Sequence, residues 1–284
     1  MELRDARGLT EAEYLAAYHP GDYPRPSVTV DMIVFAVNSV ASTNIRKNEE
    51  KELEVLLIQR KKHPFIQQWA IPGGFVDIAE SIEDAAKREL LEETGIQNLY
   101  LEQLYTWGSV NRDPRMRVIS TSYMALINRE DIQPRAGDDA ADVAWFRISL
   151  NPNPATGQEC LTFFQKELGI TISYDCFCEK GQPVFRHIQG EHLAFDHVQI
   201  LYTALTRLRN KIEYTPIVFS LMPEEFTLSA LQKVYETILG RKLLKANFRK
   251  KVAPMVIETG KKETGVKYRP GKYYRYNESY QTGF

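Results

Sequence analysis

The chain has 284 residues, of which 43% are hydrophobic and 26% charged, with a formal net charge of −1. That length favours two domains, and that composition excludes disordered and fibrous classes. The net charge names no partner, the amino terminus lacks an apolar signal core, and no run approaches the ~18 apolar residues of a membrane span. A cytoplasmic protein without a membrane partner is expected.

Residues 1–26 read as a polar lead-in ending in the turn-rich Gly21-Asp-Tyr-Pro-Arg-Pro26. Residues 27–37 are a buried strand by their β-branched content, 38–51 a polar loop, and 53–60 a second strand. Trp69-Ala-Ile-Pro-Gly-Gly74 is a short strand running into a glycine turn. A helix follows over 81–94, with Ser81 as its cap, Asp84 at the third helical position and Gly95 as its terminator. Strands over 100–107, 116–127 and 142–148 come next. Asn151-Pro-Asn-Pro154 interrupts the pattern before a short helix over 161–168 and further strand-like pieces to 185. A long amphipathic helix is expected over 193–212. Beyond Pro216 and Pro223, helices at 227–239 and 244–253 flank a turn at Gly240, and 256–276 reads as a β-hairpin. Cys160, Cys176 and Cys178 are odd in number and lack a Cys-x-x-Cys, so neither a disulfide framework nor a zinc site is indicated. Cys176 and Cys178 share one face of a strand and read as buried thiols. His187, His192 and His197 read as helical or core residues.

The chemistry concentrates in 74–96. Gly74 is followed after five residues by Glu80, and after seven more by Arg88-Glu-Leu-Leu-Glu-Glu-Thr-Gly-Ile96. Glu89, Glu92 and Glu93 stand at i, i+3 and i+4, within roughly 100° of one helix face. Such crowded like charges destabilise a helix unless a hard, oxygen-liganded cation such as Mg²⁺ neutralises them. Ala85 and Ala86, one turn earlier, would leave room for a ligand. Arg88 can orient a carboxylate or contact a phosphate. The Gly73-Gly74 turn brings backbone close to the same place. A solvated acidic face is the bland alternative. Yet chance yields these seven identities and two aliphatic positions only about once in 10⁷ at ~7% usage per residue.

The segment resembles the Nudix box, GX₅EX₇REUXEEXGU, at every specified position, and Trp69-Ala-Ile-Pro-Gly before it is similar too. Over 27–150 the resemblance implies a mixed β-sheet between helices and hydrolysis of a nucleoside diphosphate linked to another moiety. It also implies Glu89, Glu92 and Glu93 as metal ligands, supported by Glu80 and Arg88, with Mg²⁺ or Mn²⁺ as cofactor. The general base is either Glu89 or an acid of the loop Gly137-Asp-Asp-Ala140, Asp138 or Asp139. Asn111-Arg-Asp-Pro-Arg-Met-Arg-Val118 resembles the corresponding phrase of ADP-ribose pyrophosphatases. That run introduces a strand near the box, where Arg115 and Arg117 alternate onto one face and suit a diphosphate or a second phosphate. Tyr105 and Trp107 could stack a base or lie in the core.

The carboxy-terminal region is basic: between Arg241 and Arg275 stand 12 Lys or Arg against 2 Asp or Glu. Helix, turn, helix and hairpin in that order, so charged, suit a winged helix on duplex DNA. Lys245, Arg249, Lys250, Lys261 and Lys262 are its candidate contacts. Glu224-Glu-Phe-Thr-Leu-Ser-Ala-Leu231 leading to Asn247-Phe-Arg resembles the carboxy-terminal domain of Nudix-related transcriptional regulators. The expected architecture is α+β: a lead-in at 1–26, a Nudix α/β/α sandwich at 27–192, a connecting helix and linker at 193–222, and a winged helix-turn-helix at 223–284. The expected function is Mg²⁺-dependent hydrolysis of ADP-ribose or a related diphosphate by a homodimer. The alternative is a DNA-binding regulator whose Nudix domain senses an NAD-related metabolite or sugar.

Overall fold

The structure is a computed structural model and describes residues 3–19, 21, 24–40, 50–96, 101–129, 140–264 and 270–280. Five helices and thirteen strands are formed among these residues. The strand β1 (Ser27–Val40) lies at the centre, parallel to β6 (Val118–Asn128) and antiparallel to β2 (Glu50–Arg60). The path continues on one side to β5 (Glu102–Trp107). On the other side it runs through β7 (Ala140–Pro152), β8 (Glu159–Gln165) and β9 (Ile170–Glu179) to β10 (Gln182–Gln189). The short strands β3 (Trp69–Ala70) and β4 (Gly73–Phe75) pair with β2 and β1.

Alternation along β1 explains its unbroken apolar run. Val30, Met32, Val34 and Ala36 pack with Ala85, Ala86 and Leu90 of α2 (Ile82–Thr94). Ile33, Phe35 and Val37 face the opposite layer, where Leu201, Leu205 and Leu208 of α3 (His197–Lys211) lie. That second layer does not stop at α3. Leu231, Val234 and Tyr235 of α4 (Leu228–Leu239), and Phe248 and Val252 of α5 (Lys245–Val252), belong to the same apolar cluster. The tail, a winged helix by its order of helix, helix and hairpin, is therefore seated on the large sheet. Its small sheet orders β11 (Phe226–Thr227), β13 (Lys272–Tyr276) and β12 (Val256–Lys262), with the last two forming the wing.

Several boundaries differ from the sequence expectations. The lead-in, expected to be polar and irregular, contains α1 (Glu11–Ala17), opened by a reciprocal capping box between Thr10 and Glu13 whose Thr-x-x-Glu signature stands in the sequence. Residues 161–168 are not a helix; 161–165 belong to β8, because Leu161 and Phe163 are buried at alternate positions, a period of two, and 166–168 are turn. β7 continues through Pro152, into the expected interruption at 151–154. The helix expected from 193 begins at His197, because Phe195 takes a positive φ of 51° just before it. Of the cysteines only Cys176 is buried, with burial pushing its thiol up to about 12, whereas Cys178 is exposed and Cys160 half-buried. No described helix is long and apolar enough to cross a membrane.

Candidate active site and nucleic-acid interface

The box helix α2 is set by its two ends. Ser81 Oγ accepts from the Asp84 N–H at 3.1 Å, and Gly95 closes the last turn at φ 74° with its N–H on Leu91 O. Ala85 and Ala86 are fully buried against the sheet, so they bring the helix close to β1 and do not make room for a ligand. Their face carries Glu89 and Glu93 to the seam between helix and sheet.

There Arg88 gathers the acids. It grips Glu80 through Nε at 3.0 Å and Nη2 at 2.6 Å, donates from Nη1 to Glu89 at 2.8 Å and Glu92 at 3.2 Å, and reaches Phe75 O at 3.0 Å. This bidentate grip holds the Glu80 carboxyl down to about 2. Burial pushes Glu89 above the usual carboxylate range despite the same guanidinium. Glu93, 8% exposed, accepts from the Gly73 N–H at 2.6 Å. Both glycines permit a close approach, to backbone at Gly73 and to a side-chain tip at Gly74. A Cβ on Gly73 would meet Val30 O at 2.1 Å, and one on Gly74 would meet the Glu89 carboxylate at 2.2 Å.

Glu89, Glu92 and Glu93 were expected to converge as a metal cluster. Among the described residues no three His, Cys, Asp or Glu are gathered closely enough to hold an ion. Arg88 pairs with Glu89 and Glu92, while Glu93 turns to Gly73. The donor chemistry still fits a hard divalent cation, because every candidate ligand is oxygen and the Gly74 backbone abuts Glu89. Such a cation, held by Glu89, Glu92 and Glu93, would neutralise phosphate charge and make its bound water more acidic. Asp138 and Asp139 lie outside the described residues.

A cleft of about 360 Å³ opens beside Glu89, with Gly73, Gly74, Arg88 and Arg115 on its walls. Arg115 is held by Asp113 through Nε at 3.0 Å and Nη2 at 2.8 Å. Arg117 does not share its face: β6 starts only at Val118, so strand alternation does not apply, and Arg117 donates to Ser109 O at 3.0 Å instead. Trp107 is in the core, while Tyr105 is exposed away from the cleft walls.

The floor holds residues that the motif reading overlooked. Arg112 forms a bidentate pair with Asp196 at 2.9 and 2.8 Å, and lies 3.6 Å from Asp31, which accepts from Ser120 Oγ at 2.6 Å. Burial pushes Asp31 up to about 6, against the pull of Arg112. His197 is buried; its Nδ1 accepts the Ile71 N–H at 2.9 Å, and burial drives it down to about 3, so it is a neutral acceptor. A lone Asp within the apolar run Val28-Thr-Val-Asp-Met-Ile-Val34 was the available signal. Asp196 and His197 carried none, because their partners lie far away in sequence.

Residues 37–160 match the NUDIX domain, and residues 218–276 match the NrtR DNA-binding winged helix domain. The ADPR responsive transcriptional repressor NtrR of Acinetobacter baylyi is 35% identical over 94% of this chain and 88% of its own length. The chain belongs to the Nudix proteins that carry an NrtR-type winged helix. A crystal structure of a MutT/nudix family protein from Enterococcus faecalis matches at TM-score 0.74 and 32% identity, covering 95% of both chains. Shewanella oneidensis NrtR complexed with a 27mer DNA matches at 0.61 and 30%, covering 88% of this chain and 93% of that one. An ADP-ribose pyrophosphatase of Methanocaldococcus jannaschii is 35% identical over 48% of this chain and 71% of its own.

In the winged helix of this family member, Phe248 and Val252 anchor α5 and leave Lys245, Arg249 and Lys250 exposed. Lys261, at the wing, pairs with Glu225 at 2.8 Å, and Lys262 is exposed. The hairpin residues 265–269 lie outside the described residues. The two ends of α3 join the two sites. His197 stands at the cleft floor and Asp196 holds Arg112 there, while Arg209 donates to Leu150 O of the sheet and Ile238 O of α4, both at 2.9 Å. Glu213, just beyond, accepts from Arg241 at 3.0 Å and Lys251 at 2.9 Å.

Proposed function

We propose that this chain is a ligand-responsive, DNA-binding transcriptional regulator whose Nudix cleft reads ADP-ribose or a related nucleoside diphosphate. The observation that carries this reading is the single helix α3, bonded to the cleft floor at one end and to the winged helix at the other. Likeness to a repressor across both halves of the chain supports it. In this reading Arg115 and the Gly73-Gly74 turn receive phosphate, and Lys245, Arg249, Lys250, Lys261 and Lys262 face DNA. The DNA-binding form in this reading is a homodimer, whose two-fold axis a palindromic operator would mirror.

The complete box favours hydrolysis as a second activity of the same cleft. Glu89, Glu92 and Glu93 would hold Mg²⁺ or Mn²⁺, Arg88 and Glu80 would orient Glu89, and Glu89, Asp138 or Asp139 would take the proton from water. The test is fluorescence anisotropy on the gene's upstream duplex and a scrambled duplex, with and without ADP-ribose, beside ADP-ribose turnover in Mg²⁺. Upstream-specific binding that ADP-ribose releases supports the regulator. Absence of binding at low salt overturns it, leaving turnover to decide for an enzyme.

A further inference from the structure

Two bulky aromatic residues, Phe195 on the cleft wall and Phe65 packed against it, adopt left-handed backbone conformations at φ 51° and φ 61°. Phenylalanine has no local reason to do so, and such outliers persist only where the surroundings enforce them. Both flanks of Phe195 are pinned. The Ala194 N–H donates to Trp69 O at 2.9 Å, Asp196 takes both Arg112 bonds, and His197 accepts from Ile71. The forced conformation delivers the Phe195 ring to the cleft, edge-on to Phe65 at 4.7 Å.

Two cations rest on that ring. The Arg60 guanidinium carbon lies 4.9 Å from its centroid and that of Arg115 lies 5.9 Å away. Arg115 also stands over Phe75 at 5.4 Å, so it sits between an aromatic ring of the box turn and one from beyond the Nudix-matched span. A guanidinium held over a ring can still donate in its own plane to an oxyanion, as Arg60 Nε already does to Pro64 O at 2.8 Å. Asp113 takes Nε and Nη2 of Arg115, which leaves the Nη1 edge for a ligand.

We infer that Phe195 is a positioning residue for a diphosphate subsite, fixing Arg60 and Arg115 at the cleft so that diphosphate-bridged ligands are preferred to monophosphates. The inference rests on the proposed reading of the cleft as a nucleoside diphosphate site. It assigns part of the selectivity to the segment that enters α3, outside the box.

The test is calorimetric titration of the full chain with ADP-ribose and with AMP, with folding checked by circular dichroism. Phe195→Gly removes the ring while relaxing the positive φ, so lost binding cannot be attributed to added backbone strain. Phe65→Leu removes the edge contact that fixes the ring, and Phe195→Tyr keeps the stack. Phe195→Gly and Phe65→Leu should weaken ADP-ribose about tenfold while moving AMP by less than about threefold, and Phe195→Tyr should stay near wild type. Folded Phe195→Gly or Phe65→Leu protein that binds ADP-ribose within about threefold of wild type overturns the inference. Equal loss of both ligands overturns it too, by making the ring a nucleoside wall. Wild-type protein that binds neither ligand instead fails the reading of the cleft, whatever the variants do.

Discussion

Arg112 and Asp196 meet in a bidentate pair at 2.9 and 2.8 Å, with the arginine side chain only 6% exposed. Asp196 is the N-cap residue of α3, yet its side chain caps nothing, since both oxygens face Arg112. Asp196→Ala would leave a buried guanidinium with Asp31 as its remaining acid. Removing one member of a buried pair costs on the order of 3 kcal/mol. Urea denaturation should show that loss, and Arg112→Lys alone should also be destabilised, because an ammonium lacks the planar fork that Asp196 receives.

Asp31 and His197, 3.7 Å apart, predict a concealed pH dependence. Asp31, facing Arg112, Ser120 and Asp196, rises from 3.8 to about 6, so its contribution is present below 3.8 and lost as pH climbs through 6. His197, facing Arg112 and Arg60, falls from 6.5 to about 3, so its contribution is present above 6.5 and lost as pH drops through 3. Between pH ~4 and ~6 the two slopes oppose each other, each on the order of 1.4 kcal/mol per pH unit. Wild-type stability should show no slope from this pair there. Asp31→Asn should become less stable as pH falls through that window, and His197→Gln more stable; parallel curves for all three proteins would refute the pairing.

The adjacent glycines of the box turn should fail differently. Gly73→Ala drives a methyl into Val30 O, a backbone atom that cannot yield, and should destabilise the fold by about 3 kcal/mol. Gly74→Ala meets only the tip of the Glu89 side chain, which can swing away. That protein should melt near wild type yet bind ligand and turn it over poorly. Thermal melts beside titration calorimetry separate the two.

Loss of one carboxylate charge at the box should be a chemical defect rather than a structural one. Glu92→Gln, on an exposed side chain, should fold normally and lose most Mg²⁺-dependent ADP-ribose turnover, about 10²-fold or more. Near-wild-type rates at saturating Mg²⁺ would remove Glu92 from any catalytic role. Arg115→Ala should raise the KM for ADP-ribose about 10- to 150-fold.

On the winged helix, Arg249→Ala combined with Lys250→Ala should weaken duplex binding and shallow its logarithmic salt dependence by about 2 units. ADP-ribose turnover should be little changed. Anisotropy at several salt concentrations reads the slope directly.

What the sequence disclosed follows from the range of the interactions. The box helix was legible because its cap, terminator and acids all lie within 81–95, and α5 because Phe248 and Val252 repeat at helical spacing. Leu161-Thr-Phe-Phe-Gln165 misled because a short apolar run fits either period, and only its neighbours β7 and β9 decide for strand. Arg117 misled because the strand starts one residue after it. The cleft floor was illegible for a different reason: Arg112 meets Asp196 across 84 positions, and Ile71 meets His197 across 126.

The continuous apolar cluster through the Nudix sheet, α3, α4 and α5 bears on how the protein breathes. The amides of α4 and α5 open to solvent only when side chains shared with the sheet part company, so their exchange with deuterium is tied to the same opening. A small molecule that binds the closed form alone suppresses that opening by mass action. Ligand in the cleft should therefore slow deuterium uptake on α4 and α5, where it makes no contact, and do so in proportion to occupancy. The helices proposed to face DNA would register the metabolite through how seldom they come undone.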